Sequence, residues 1–163
     1  MIDTQRAEYL ANTYADMILR LSYTYLNNTH DAQDICQTVF VKLLTHPQAF
    51  ESKSHEKAYI MRMTANACKD ILKSPWRRKT CGLEVIADVP APEAEDGSVL
   101  AAVNTLPARY RSVIYLHYYE GYQASEIAEI LGIPTATVHT RLARGRKKLK
   151  TLLGGFGYEE ALE

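Results

Sequence analysis

The chain has 163 residues, enough for one ordinary domain or two small ones, and its 47% apolar content is that of a protein with a packed core. Its 19 basic and 19 acidic residues cancel, which argues against a chain that coats nucleic acid by bulk charge but leaves room for a local basic patch. The start from Ile2 to Glu8 is polar and of mixed charge, and no apolar run is long enough to span a bilayer, so a cytoplasmic chain without membrane insertion is expected.

The first zone, from about Thr4 to Lys73, is nearly free of Gly and Pro. Apolar residues recur at helical spacing: Tyr14, Ile18, Leu21 and Tyr25, then Ile35, Val39 and Leu43, then Ile60, Met63, Ala67 and Ile71. Breaks at Asn27-Asn28-Thr29 and at His46-Pro47 predict three helices, Arg6–Leu26, His30–Leu44 and Ser54–Lys73. Asn28 or Thr29 can cap the second, with Asp31 in its first turn favourable to the helix dipole. Cys36 and Cys68 fall inside these patterns, where Cys acts as a small core residue. With Cys81 they form no CxxC pair, and the His residues are scattered, so neither a disulfide framework nor a metal or other cofactor is expected.

From Ser74 to about Ser98 the character changes. Pro75, Gly82, Pro90, Pro92 and Gly97 interrupt the segment, and it ends in acidic Glu93-Ala94-Glu95-Asp96. It reads as a flexible linker with a short helical or extended piece at Leu83–Ala87. From Val99 to about Leu153 the pattern is helical again. A helix starts at Leu106-Pro107 and runs to about Tyr119, Gly121 breaks it, a short helix covers Gln123–Leu131, Gly132 breaks that, and Pro134 opens the last, to about Leu152. With no strand signal, the fold class is all-α: two small helical domains, residues 1–73 and 99–153, joined by the linker 74–98 and followed by a loose tail, 154–163.

A short helix, a Gly turn and a longer helix make a helix-turn-helix. Ile127, Ala128 and Leu131 give the first helix its inner face, and Val138, Leu142 and Leu149 give the second its own. Thr135, His139, Thr140, Ala143, Arg144 and Lys147 then point outward, with groups that can reach base edges or phosphates in a major groove. Arg141, Arg144, Arg146, Lys147, Lys148 and Lys150 form a basic run with no acid. Cations also suit a helix C-terminus, so the run alone serves either reading; joined to the helix pair and its polar face it points to DNA. His139 serves as a base contact or as an ordinary surface residue.

These residues carry a family resemblance. Leu106-Pro107-Ala108-Arg109-Tyr110-Arg111, Tyr118-Tyr119-Glu120-Gly121-Tyr122, Glu126-Ile127-Ala128, Leu131-Gly132-Ile133-Pro134 and Thr137-Val138-His139-Thr140-Arg141-Leu142-Ala143-Arg144-Gly145-Arg146-Lys147-Lys148-Leu149 together resemble region 4 of bacterial sigma factors, the region that reads the −35 promoter element. The resemblance implies −35 contacts from Thr135, Thr137, His139, Thr140, Arg141, Arg144 and Lys147. Gln123 stands where the family usually has a Ser helix cap, a departure worth about 1 kcal/mol of local stability. His139 stands where Lys or Arg is common.

Asp31-Ala32-Gln33-Asp34-Ile35-Cys36-Gln37-Thr38-Val39-Phe40 resembles region 2.2 of the same family. Asp31, Asp34 and Gln37 lie three apart on one helix face with Phe40 near its end, a surface able to dock on a basic helical hairpin. In the family that hairpin is the clamp helix pair of the largest subunit of core RNA polymerase. Tyr59-Ile60-Met61-Arg62-Met63-Thr64-Ala65-Asn66 resembles region 2.3, where the preceding loop, here His46 to Lys57, captures a base flipped out of the −10 element. Unstacking a base costs a few kcal/mol, to be offset by hydrogen bonding and stacking in its pocket. Phe50, Lys53, Lys57, Tyr59, Arg62 and Asn66 offer the aromatic, cationic and amide groups for that task. Tyr59 serves equally as a core residue, and Asn66 as a brace for the loop.

The order of the motifs, with a linker too short for a folded region 3, identifies the resemblance as one to extracytoplasmic-function sigma factors. It implies a non-enzymatic initiation factor that partners core RNA polymerase and promoter DNA, of a family whose members are often held inactive by an anti-sigma factor. The acidic stretch Glu93–Asp96 serves as a nucleic-acid mimic in the polymerase channel or as a solubilising spacer. A stand-alone helix-turn-helix regulator accounts for Leu106–Leu152 alone and leaves the Asp31–Phe40 pattern a coincidence; a sigma-like decoy for regulatory proteins is the other alternative.

Overall fold

The computed structural model describes residues 3–74 and 97–152, with the side chains of 97–100 set aside. The chain divides into two compact units, Met1–Asp88 and Val89–Glu163. The readings made for the linker, for Leu83–Ala87, Glu93–Asp96 and Cys81, and for the tail 154–163 lie outside the described residues. Among those residues every regular element is helical, and no helix is long and apolar enough to cross a membrane.

The first unit is built from α1 (Thr4–Leu26), α2 (Thr29–Thr45) and α3 (Lys53–Lys73), with α1 packed on both of the others. Each start is capped by a short polar side chain that accepts from otherwise orphaned N–H groups. Asp3 accepts from Gln5 N at 3.0 Å, Asn28 from Asp31 N at 3.0 Å, and Ser52 from His55 N at 3.1 Å. The Asn27-Asn28 pair both stops α1 and starts α2. Asn27 takes a left-handed conformation at φ 55° with its N–H on Tyr23 O, and Asn28 then caps. Asp3 as a cap explains why α1 begins two residues before the predicted Arg6.

The predicted inner stripes of α1 (Tyr14, Ile18, Leu21, Tyr25) and α2 (Ile35, Val39, Leu43) are buried. That of α3 is rotated. Ile60, Met61, Thr64, Ala65 and Cys68 fill the core, while Met63, Ala67 and Ile71 are only half-buried. Wedged against two helices, α3 buries a broader sector than a single i, i+4 row, and Met61 and Ala65 fall within it. Leu10, Ile18, Leu21, Ile60 and Met61 are fully buried, and each side chain of this size contributes about 1.5–3 kcal/mol. Cys36 and Cys68 are core residues, and burial pushes both thiols up, Cys68 to about 12, so neither has the thiolate character of a redox sensor.

The second unit holds α4 (Gly97–Thr105), α5 (Ala108–Ile114) continued by a π-helical turn (Tyr115–Tyr119), α6 (Ala124–Leu131) and α7 (Thr135–Leu152). Helix therefore begins at Gly97, two residues inside the segment read as linker. The single helix predicted up to Tyr119 is interrupted in character at Tyr115, where the bonds reach back five and six residues instead of four: Glu120 N donates to Tyr115 O at 3.1 Å and Tyr122 N to Leu116 O at 3.0 Å. Tyr115 and Tyr119 stack there, centroids 5.4 Å apart, and Gly121 supplies the positive φ of 77° that ends the turn. Arg111 is buried, and its guanidinium donates to Leu106 O and Asn104 O, satisfying carbonyls left over at the end of α4. The last helix, α7, packs on α4, α5 and α6.

Candidate nucleic-acid interface

The helix pair α6–α7 is set by three local features. Glu126 accepts from Gln123 N at 2.9 Å, so the carboxylate of the first turn takes up an orphan donor and offsets the missing Ser cap. Gly132 turns the chain at φ 68°, and Ile133 N donates to Ala128 O at 3.1 Å. Pro134 opens α7, its carbonyl accepting from Thr137 N and Val138 N. Ile127, Ala128, Ile130 and Leu131 of α6 are buried, as are Val138, Leu142, Gly145 and Leu149 of α7. Sequence reasoning gave Gly145 no role of its own. A Cβ there would lie 2.6 Å from Ile114 Cδ1, so the absence of a side chain lets α7 approach α5.

With that face turned inward, Thr135, His139, Thr140, Ala143, Arg144 and Lys147 are exposed on the opposite side, and Thr137 and Arg141 are half-buried at its edges. Thr140 donates its hydroxyl to Ala136 O at 3.0 Å and so presents an acceptor outward. The basic run divides. Arg144 and Lys147 stand on the outward stripe, whereas Arg146 lies over the Tyr118 ring at 5.8 Å with Nε donating to Leu142 O, and Lys148 lies over Tyr110 at 5.8 Å. Arg146 and Lys148 remain exposed, and these cation–π contacts add a protein partner to two of the six cations.

In the first unit, Asp34 and Gln37 are exposed on α2, and Asp31 and Phe40, half-buried, stand at the two margins of the face they expose. Val41, 59% exposed, continues the ridge from Asp34 and Gln37 at i, i+3, i+7. Sequence reasoning passed over it. Its signal was an apolar residue off the Ile35–Val39–Leu43 stripe, and an apolar knob beside an acid and an amide is what a protein-docking face needs.

The loop between α2 and α3 is shorter than expected. Because α3 begins at Lys53, the irregular part is residues 46–52, and Lys53, His55 and Lys57 stand on the first helical turns. Phe50 rests on α3, 5.4 Å from the His55 ring and 5.3 Å from the Tyr59 ring. His55, Tyr59, Arg62 and Asn66 follow at i, i+4, i+7 and i+11, so Tyr59, Arg62 and Asn66 share one stripe with Phe50 at its head, and Arg62 and Asn66 are exposed. Lys53 is exposed one turn away, and Lys57 is half-buried.

A groove beside this loop is lined by Arg6 and Tyr9 of α1, Gln48 and Phe50 of the loop, and Lys53 and Glu56 of α3. Glu56 is 5% exposed, yet three donors meet on its carboxylate: Arg6 Nη2 at 2.8 Å, Tyr9 Oη at 2.6 Å and Tyr14 Oη at 2.7 Å. Burial pushes this carboxyl up, but the hydrogen bonds from Tyr9, Tyr14 and Arg6, with the Arg6 charge, more than offset it and leave it below the usual Glu range. Tyr9 is raised by its bond to Glu56, and Tyr14 by burial followed by its own bond to Glu56.

Comparison with known proteins bears on both units. The family model for Sigma-70 region 2 matches residues 10–78, and that for Sigma-70, region 4 matches residues 96–149. The ECF RNA polymerase sigma factor SigE of Mycolicibacterium smegmatis is 31% identical over 93% of this chain, which spans 63% of that protein's length. The ECF RNA polymerase sigma factor SigW of Bacillus subtilis is 30% identical over 88% of this chain and 87% of its own. In fold, the chain resembles the sigma factor RpoE from Bartonella quintana, solved with the anti-sigma factor NepR, at a TM-score of 0.71 and 21% identity over 90% of this chain and 96% of that one. It also resembles CnrH, solved with the cytosolic domain of CnrY, at a TM-score of 0.65 and 19% identity over 95% and 92%.

Proposed function

The chain belongs to the extracytoplasmic-function sigma factors of the sigma-70 family, and from that premise we propose how its surfaces divide the work of promoter-directed initiation. The α2 ridge of Asp34, Gln37 and Val41, flanked by Asp31 and Phe40, docks on the clamp helices of core RNA polymerase. The outward stripe of α7 lies in the major groove of the −35 element, with Thr135, Thr137, His139 and Thr140 toward base edges and Arg141, Arg144 and Lys147 toward bases or phosphates. The Phe50–Tyr59–Arg62–Asn66 stripe, with Lys53 and Lys57 at its margin, takes the melted −10 strand, aromatic rings stacking bases and cations following the backbone. The protein itself makes and breaks no covalent bond, and its place of work is the cytoplasm.

The observation that carries this division is the pairing in one chain of an exposed acid–amide–apolar ridge on α2 with an exposed polar–basic stripe on α7. The first suits a protein partner and the second a duplex. Two sigma-fold relatives were solved with protein partners, which supports an anti-sigma protein that covers such exposed faces here as well.

Run-off transcription with purified core polymerase, with and without this protein, tests the reading. Discrete new transcripts from genomic DNA are expected, and their start sites define both promoter elements. A specific duplex footprint in the absence of polymerase, with no transcript, would replace it with a stand-alone helix-turn-helix regulator.

A further inference from the structure

We propose that Arg6, Tyr9 and Tyr14 of α1, gathered on the buried carboxylate of Glu56, are positioning residues for promoter opening: they set the strand-capture loop 46–52 through the first turn of α3. This rests on the sigma-factor reading of the first unit, and it adds α1 to a site otherwise formed by the loop and α3.

Glu56 lies in the turn from which the loop emerges. Its backbone N–H donates to Ser52 O at 3.0 Å, and the Ser52 side chain caps the same turn through His55 N. The His55 ring accepts from Glu51 N at 3.3 Å and meets the Phe50 ring edge-on at 5.4 Å. An unbroken set of contacts therefore runs from α1, through the Glu56 carboxylate and the capped turn, to the one aromatic side chain of the loop. Arg6 and Tyr9 also form the far wall of the groove that Gln48, Phe50 and Lys53 line.

Packing alone does not call for this arrangement. A buried carboxylate is costly unless fully satisfied, and an apolar residue of similar volume commonly holds two helices as well or better. What three directed hydrogen bonds on one carboxylate add is orientation, because each bond is angle-dependent in a way that apolar contact is not. A loop that must catch an unstacked base needs that fixed geometry, since the cost of unstacking is met only by groups already in place.

The test uses the full-length protein with core polymerase and a promoter mapped with the unmodified chain. Arg6→Ala and Glu56→Gln are compared with Arg6→Lys in single-round run-off from duplex DNA and from the same promoter premelted across the −10 element. Permanganate reactivity reports −10 thymines, and a pull-down reports core binding. Expected is a roughly tenfold loss on duplex DNA for Arg6→Ala and Glu56→Gln, with loss of permanganate reactivity, recovery to within about twofold on the premelted template, core binding unchanged, and rescue by Arg6→Lys. Equal loss on both templates, loss of core binding, or no loss on either template overturns the proposal. If Glu56→Gln does not fold, Arg6→Ala still decides, since the Arg6 side chain is 33% exposed and its removal opens no core cavity. A wild-type chain that yields no transcript from either template would instead sink the sigma reading itself.

Discussion

The two units hold their functional surfaces by different means. In the first, a buried charge with three donors ties helices whose residues lie about fifty positions apart, and the surface it supports includes an irregular loop. In the second, the face that α7 turns inward is apolar and closes on α5 through side-chain-free Gly145, while the buried Arg111 guanidinium serves carbonyls at the end of α4, and the surface supported is the other face of α7. A regular helix aims its side chains by geometry, so apolar packing of one face suffices to orient the other. A seven-residue loop has no such internal register and is aimed from outside by directional bonds.

The largest expected effect that breaks this contrast open is Glu56→Ala. It leaves the Tyr14 hydroxyl buried without its acceptor and should cost the first unit about 3 kcal/mol, read as faster amide exchange in α1–α3 with α5–α7 unchanged. The same carboxylate gives the first unit an acid limb. Because its folded value lies below the usual one, its stabilisation is complete above the unfolded pKa of about 4.3 and disappears as the pH falls through the folded value. Glu56→Gln should flatten that limb in an acid titration, and an unchanged limb would assign it to other carboxylates.

Gly145→Val comes next. It drives a side chain into Ile114 and should cost the second unit about 2 kcal/mol, with duplex binding lost and polymerase binding kept. Arg144→Ala should weaken −35 duplex binding by about 1–3 kcal/mol without changing the melting temperature, and a fall of about 0.9 in the salt slope would mark a phosphate contact rather than a base contact. If polymerase binding fell as much, the division between the two faces would be wrong. Val41→Asp is the mildest, about tenfold in polymerase affinity with folding stability within about 0.5 kcal/mol, since Val41 is exposed. Undiminished affinity would confine the docking face to Asp34 and Gln37.

Much of this was legible in the residues. The stripes of α1, α2 and α7 follow the helical period, and the breaks at Asn27-Asn28, Gly121 and Gly132 coincide with the three positive φ values among the described residues. Less legible was how the basic run divides. Arg144 and Arg146 look alike in sequence and both are exposed, and only the position of Tyr118 gives Arg146 a ring to lie over. The strand-capture segment implied by the resemblance, His46–Lys57, overlapped the helix predicted from Ser54, and the Ser52 cap settles the boundary at Lys53.

By itself the sequence determined the all-α class, the order and approximate limits of α1–α3 and α5–α7 but not the separate helix α4, the helix-turn-helix and the faces of α2 and α7. Each of these depends on spacing or capping within a few residues, where chain geometry leaves little choice. Tertiary structure alone decided that Glu56, a charged residue one would place in solvent, is buried under Arg6, Tyr9 and Tyr14, and that Gly145 is a contact rather than a helix weakness. Those facts depend on which distant groups meet, and a buried carboxylate or a missing Cβ has physical meaning only once its neighbours are in place.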